Sequence, residues 1–328
     1  MPGEWMVKVA VVRCLVFYTS SIAFNQTNLV RVVKKRNGKA TKKRRGKAKK
    51  WELVTDAQEA SITTAYENVK TITGSLGGNA EGGPIYGELI KASLQHVINK
   101  MVAVQHFDKN SRFIDVGSGL GKPNIHVGLY PGVALSVGVE VVENRRNASI
   151  ANMDYIFQNK KIKEMPKVIL CNGDITEAES FDPFTHVYMF DIGFPDYLFR
   201  HLAKIFNESE CKYLVCFHGP KLMIDHYRFN MVLQDSVATT MHGSGEGHTS
   251  YLYQRTPKAG KTDGGSSSSA STLSVKCDPM FEEAVRLVTE GDQAVKDWTT
   301  RQIAAFHNSG RPTRNKFAVV KYDPETGK

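Results

Sequence analysis

The sequence predicts an α/β fold: a mostly parallel, seven-stranded sheet with helices on both faces and an antiparallel hairpin at its C-terminal end. Three observations carry this expectation. Between residues 113 and 217, five short β-branched runs alternate with helix-length segments, the pattern of parallel crossover units. Within it, Asp115-Val116-Gly117-Ser118-Gly119-Leu120-Gly121 forces a strand to turn sharply into a helix. After the fifth run come two more β-prone segments, separated by the Gly-rich loop His242-Gly243-Ser244-Gly245-Glu246-Gly247, as in a hairpin.

Taken in chain order, the apolar stretch Met6–Phe24 is broken by Lys8 and Arg13. It lacks the charged-then-apolar order of a secretory signal and is not expected to span a membrane. Its scarcity of acids leaves a mitochondrial presequence or a misassigned start open. The run Arg31–Lys50 has almost no apolar residue after Val33, so it cannot join a core and is expected to be disordered when free. Residues 1–50 therefore read as an extension with a basic arm, and 51–258 as the folded domain.

The expected strands are Phe113–Val116, Leu135–Val139, Val168–Cys171, His186–Phe190 and Tyr213–Phe217, with the hairpin formed by Met231–Met241 and Tyr251–Arg255. The expected helices are Pro123–Tyr130, Glu143–Asn159 and Asp196–Phe206. Pro123 suits a first helical turn, where its missing N–H costs nothing. The Gly/Ser-rich stretch in 259–276 reads as a flexible linker. In the extension 277–328, Phe281, Val285, Val288, Val295 and Trp298 fall on helical faces, as in one broken helix docking on the core.

Composition narrows the partners. Of 328 residues, 43 are Lys or Arg and 33 Asp or Glu, a formal charge of +10 concentrated between Lys34 and Lys50. That favours a polyanion, and the run suits both a nuclear localisation signal and a nucleic-acid-binding arm. Five cysteines without a Cys-x-x-Cys pair read as reduced thiols inside a cell. His218 lies beside Cys216 but lacks a ligand set, so no metal is expected.

The glycine loop admits three ligand readings. A Walker loop fails, because Val116 stands where its first glycine belongs and Pro123 follows Lys122 in place of Ser or Thr. A dinucleotide fingerprint needs glycines at its first, third and sixth positions, and here they occupy the first, third and fifth. The methyl-donor loop of class I methyltransferases remains. Glu140 ends the next strand about 20 residues after the glycines, where an acid can bridge ribose hydroxyls. Asn172-Gly173-Asp174 closes the third strand on the same carboxyl edge, so Asp174 is a candidate partner for an adenine amino group.

Ile85-Tyr86-Gly87-Glu88, the DVGSGLG loop, Gly138-Val139-Glu140 and Gly173-Asp174 with its apolar neighbour Ile175 together resemble the disruptor-of-telomeric-silencing, or DOT-type, histone lysine methyltransferases, which lack a SET domain. The resemblance runs from about Gly83 to Arg255. It implies a Rossmann-like class I methyltransferase that uses S-adenosyl-L-methionine, works in the nucleus and acts on a histone within the nucleosome. It implies that Tyr86 to Glu88 cover the methionine end of the cofactor, with Asp115 near its amino group, Glu140 on the ribose and Asp174 on the adenine. Gly117, Ser118, Gly119, Gly121, Lys122 and Ile175 complete the expected cofactor site. The catalytic candidates are Tyr86, Asp191 and Phe194, with Phe217 a further wall residue. Where the family carries an Asn-rich, Phe-containing motif, this chain has Phe190-Asp191-Ile192-Gly193-Phe194-Pro195, a departure at the position of the family's catalytic asparagine. A class I methyltransferase acting on RNA or another protein, and a non-catalytic chromatin-binding module, are the competing expectations.

Overall fold

The computed structural model describes residues 54–72, 87–162, 166–241, 247–257 and 276–308. The basic run, Tyr86, the hairpin loop after Met241 and most of the Gly/Ser-rich stretch lie outside the described residues.

Among the described residues, seven strands form one sheet. They are β1 (Arg112–Val116), β2 (Leu135–Glu140), β3 (Val168–Asn172), β4 (His186–Met189), β5 (Tyr213–Cys216), β6 (Met231–Thr240) and β7 (Gly247–Arg255). Their order is β3-β2-β1-β4-β5-β7-β6. The first five are parallel, and β7 lies antiparallel to both β5 and β6. Strand β2 is buried along its whole length, as expected of a parallel strand covered on both faces. The expected strand limits hold to within about two residues for all five parallel strands. The hairpin strand β7 begins earlier than expected, because Gly247–Ser250 pair with Val237–Thr240.

The helices are α1 (Asp56–Ile72), α2 (Lys91–Val104), α3 (Lys122–Leu129), α4 (Glu143–Gln158), α5 (Asp196–Glu208), α6 (Glu282–Glu290) and α7 (Asp292–Asn308). Winding runs outward from β1 through β2 to β3, then reverses through β4 to β5. Right-handed crossovers therefore place α3 and α4 on one face and α5 on the other. The reversal opens a crevice beyond the carboxyl ends of β1 and β4, where ligands of open α/β sheets bind. Helix α5 buries Phe199, Leu202, Ala203, Ile205 and Phe206 on one side and starts with Asp196, whose charge suits the helix N-terminus.

Helices α1 and α2 were not expected from the sequence. They are joined by Lys91, whose Nζ donates to Glu59 at 2.7 Å and to Thr63 Oγ1 at 2.9 Å. A partly buried polar chain fastens them to the domain: Tyr66 of α1 lies 3.1 Å from His126 Nδ1, and Gln95 of α2 lies 2.8 Å from His126 Nε2. Burial pushes the His126 pKa down to about 3, with Lys91 adding to the effect.

The expected single broken C-terminal helix is two helices, α6 and α7, divided by Gly291 at φ 106°. Before them, buried Asp278 accepts hydrogen bonds from the backbone N–H groups of Glu179 and Ser180, both at 2.8 Å. Helix α7 packs along α4, where the Arg146 guanidinium donates to Gln302 of α7 and, at 3.1 Å, to the Leu170 carbonyl.

Candidate active site

The glycine loop is tied to the end of the neighbouring strand. The N–H groups of Gly117 and Ser118 both donate to the Val139 carbonyl, at 2.9 and 3.1 Å, and Gly119 N–H donates to Glu140 Oε2 at 2.8 Å. Such a fold-back requires glycine at two places. Gly121 holds φ +74° as the residue before α3, and a Cβ on Gly138 would sit 2.7 Å from the Ser118 side chain. The loop thus lies flat over β2, with α3 starting directly behind it.

Above it is a cavity of about 500 Å³, within the range of small-molecule sites. Asp115, Gly117, Ser118, Gly119, Lys122 and Glu140 line it, together with Glu88 from the segment before α2. Tyr188, Phe190, Ile192, Gly193 and Phe194 form the side towards β4. Of the expected site residues, all but Tyr86, Gly121, Asp174, Ile175, Asp191 and Phe217 therefore meet in one place.

The cavity is electrostatically incomplete. Asp115 is 2% exposed, and among the described residues its Oδ2 has no hydrogen-bond partner. Burial, reinforced by the charge of Glu140, raises its pKa well above the usual carboxylate range. An amino group entering here would pair with that oxygen, so the donor set fits the ammonium of an amino-acid moiety. Glu140 is 3% exposed, and its second oxygen accepts from Val142 N–H at 2.9 Å. Its carboxylate stands at the cavity wall with its outer lone pairs available to hydroxyl donors. Lys122 is ion-paired with Glu88, which links the segment before α2 to the first turn of α3.

Asp174 and Ile175 do not join the lining. Asp174 is exposed, and its Oδ1 accepts from Thr176 N–H at 2.9 Å, capping a single 3-10 turn. Ile175 is 6% exposed and belongs to the core. The end of β3 is instead fastened to β2 by Asn172, whose Nδ2 donates to the Glu140 carbonyl at 2.9 Å.

Asp191 also stands outside the cavity. It is completely buried; its Oδ1 accepts from Phe217 N–H at 2.7 Å and its Oδ2 lies 2.8 Å from His218 Nδ1. Phe217 packs behind Phe190, with ring centroids 4.6 Å apart, and so supports the wall without lining it. Several lining residues escaped the sequence reading. Tyr188 pairs in register with Asp115 across β1 and β4, and Val141 and Tyr197 stand 63% and 66% exposed at the rim. Strand registry would have exposed Tyr188; the rim residues carry no signal in sequence.

Residues 79–169 match the family model described as histone methylation protein DOT1. No curated protein matches the chain. Among solved structures, magnesium protoporphyrin IX methyltransferase from Synechocystis PCC 6803 with bound S-adenosylmethionine is similar at 13% identity, covering 62% of this chain and 99% of its own, with a TM-score of 0.40. A Pyrococcus horikoshii protein described as an RNA methyltransferase gives 12% identity, the same 62% and 99% coverage and a TM-score of 0.42. An RNA methyltransferase from Salinibacter ruber in complex with S-adenosyl-L-homocysteine gives 19% identity over 49% of this chain and 90% of its own, with a TM-score of 0.36. With the strand order and the glycine loop at the switch point, the domain is an S-adenosylmethionine-dependent class I methyltransferase, and over residues 79–169 it is similar to the DOT1 family.

Proposed function

We propose that the domain methylates a lysine side chain of a histone within the nucleosome, and that the basic run Lys34–Lys50 holds nucleosomal DNA while it does so. One observation carries the site assignment: a buried oxygen of Asp115 that has no partner among the described residues, beside Glu140, in a cavity of cofactor size. The DOT1 match over residues 79–169 supports the histone as acceptor. The dense positive charge of residues 34–50 supports the DNA contact and a nuclear location.

S-adenosylmethionine supplies a sulfonium methyl group for in-line displacement by the acceptor. The chain's own residues bind and align. Asp115 receives the amino group, Glu140 the ribose hydroxyls, and Glu88 and Lys122 close the methionine end. The family resemblance assigns Tyr86 to that end, and we place Asp174 and Ile175 at the outer, adenine side. A lysine amine has a free pKa of about 10.4 and must lose its proton before attack. The aromatic side of the cavity, Phe190 and Phe194, excludes water and lowers that pKa by desolvation. Positioning supplies most of the rate enhancement in such a displacement.

The departure at Phe190–Pro195 from the family's asparagine motif keeps RNA as a second acceptor class. Labelled S-adenosylmethionine with reconstituted nucleosomes, free core histones and RNA, each supplied separately, decides between them. Label on a histone lysine, greatest with nucleosomes, is expected. Label on RNA alone refutes the histone reading.

A further inference from the structure

We infer that Asp191 and His218 form a positioning pair that sets the acceptor side of the cavity and leaves cofactor binding to other residues. The inference rests on reading the cavity as the methyl-transfer site.

Strands β4 and β5 are parallel neighbours, and each releases the chain at the same edge of the sheet. Asp191 follows β4 by two residues, and Phe217 and His218 follow β5 directly. The Asp191 carboxylate joins the two exits, accepting from Phe217 N–H at 2.7 Å and from His218 Nδ1 at 2.8 Å. Its own carbonyl accepts from Phe194 N–H at 3.1 Å, closing a tight turn with Gly193 at φ +89°. Glycine is the residue for the third position of such a turn. The turn carries Ile192, Gly193 and Phe194 into the cavity lining.

Aromatic contacts repeat the same link. Phe190, just before Asp191, packs on Phe217 with centroids 4.6 Å apart. Phe194 packs on Phe199 at 6.0 Å, and Phe199 meets the His218 ring edge-on at 5.3 Å. Both phenylalanines of the acceptor wall are therefore braced through residues that the Asp191 carboxylate holds. A carboxylate taken completely out of water persists only where its lone pairs and charge are met. Tyr188, Cys216 and Tyr253, which also feel this charge, are kept protonated mainly by burial. His218 is the group that can answer it, and the hydrogen bond to Asp191 raises its pKa.

The geometry separates two functions. The Asp191 carboxylate bonds to neither the glycine loop nor Glu140; of the wall it braces, Phe194 lies against the loop, 3.6 Å from where a Gly117 Cβ would stand, so loss of Asp191 acts on the wall first. Misplacing an acceptor by about 1 Å costs on the order of a hundredfold in rate. The test uses the full chain with Asp191→Ala, Asp191→Asn and His218→Asn, the last keeping a donor where Nδ1 stands. Calorimetry with S-adenosylhomocysteine gives cofactor affinity, and turnover is measured on nucleosomes, free core histones and RNA. The Ile192 methyl resonance reports the turn without any acceptor, and the His218 ring is titrated by NMR.

Expected results are a dissociation constant within about threefold for all variants and a fall of about a hundredfold in turnover for Asp191→Ala. The alanine variant should also shift or broaden the Ile192 methyl signal. Asp191→Asn, whose amide oxygen still accepts from Phe217, should recover most of the turnover, with the His218 pKa lowered. Unchanged turnover and an unchanged Ile192 signal in Asp191→Ala overturn the inference, as does a tenfold or greater loss of cofactor affinity in Asp191→Asn. If the wild-type protein labels no histone, the histone reading falls, and the Ile192 and His218 signals still decide the pairing.

Discussion

Replacing Asp115 by asparagine should weaken cofactor binding and stabilise the cofactor-free protein at the same time. The carboxylate is 2% exposed, one of its oxygens has no partner among the described residues, and burial together with Glu140 raises its pKa. A carboxylate whose folded pKa is raised holds its proton in the folded state at pH values where the unfolded chain has lost it. Stability therefore falls as pH rises through that window, and the full penalty persists above the folded pKa. Asparagine has the same shape and still leaves a polar atom at that position, but it removes the buried charge, and relief of that desolvation is worth roughly 1–3 kcal/mol. In a domain of this size each kcal/mol raises the melting temperature by about 2–4 °C. Binding moves the other way. A hydrogen bond to a charged group contributes about 1.5–3 kcal/mol, so Asp115→Asn should weaken S-adenosylhomocysteine by roughly 10- to 150-fold. Wild-type affinity should also rise with pH until Asp115 is ionised, and the variant should lose this rise. Scanning calorimetry of the free protein and titration calorimetry between pH 5 and 9 measure both effects. A variant that binds as tightly as wild type, or that melts lower without ligand, refutes the assignment.

Three further outcomes follow from the same geometry. Glu140→Gln should cost about 1.5–3 kcal/mol in cofactor affinity, because one amide oxygen cannot serve Gly119 and Val142 together, whereas exposed Asp174→Ala should cost no more than about 1 kcal/mol; equal losses in the two, by calorimetry, would place the adenine against Asp174 more firmly than its exposure suggests. Gly87→Ala puts a Cβ 2.4 Å from Phe190 Cε1 and 2.6 Å from Met241 Cε, and turnover should fall on the order of tenfold with circular dichroism unchanged; full activity would show that the wall can yield. His126 and His186, neutral in the fold with pKa values pushed down to about 3 and about 4 by burial, must bind protons on unfolding below about pH 6.5, so each costs about 1.4 kcal/mol per pH unit as pH falls from there towards 4. Urea midpoints should show a shallower acid loss in His126→Gln, and an identical slope would mean that His126 is charged in the native protein.

The sequence by itself determined the sheet and the loop that defines its crevice. Five apolar runs bounded by turns became β1 to β5 because a parallel strand covered on both faces has to be continuously apolar, a property written locally. The Asp115–Gly121 loop was legible for a similar reason: only glycines accept the backbone angles and close approach of a loop folded onto β2. Helix α2 was missed because its burial is settled by a distant element, the edge strand β6, on which it packs. Helix α1 likewise gains its place through Tyr66 and His126, 60 residues apart. Tertiary structure alone separated residues that look alike in sequence. Asp115, Glu140, Asp174 and Asp191 are all acids at or just beyond strand ends. Folding leaves Asp115 buried with an oxygen to spare, gives Glu140 two backbone donors, turns Asp174 out to cap a turn, and spends Asp191 on the chain leaving β5. What an acid does depends on burial and on partners from other strands, and those distances come into being only when β1, β2, β4 and β5 lie side by side.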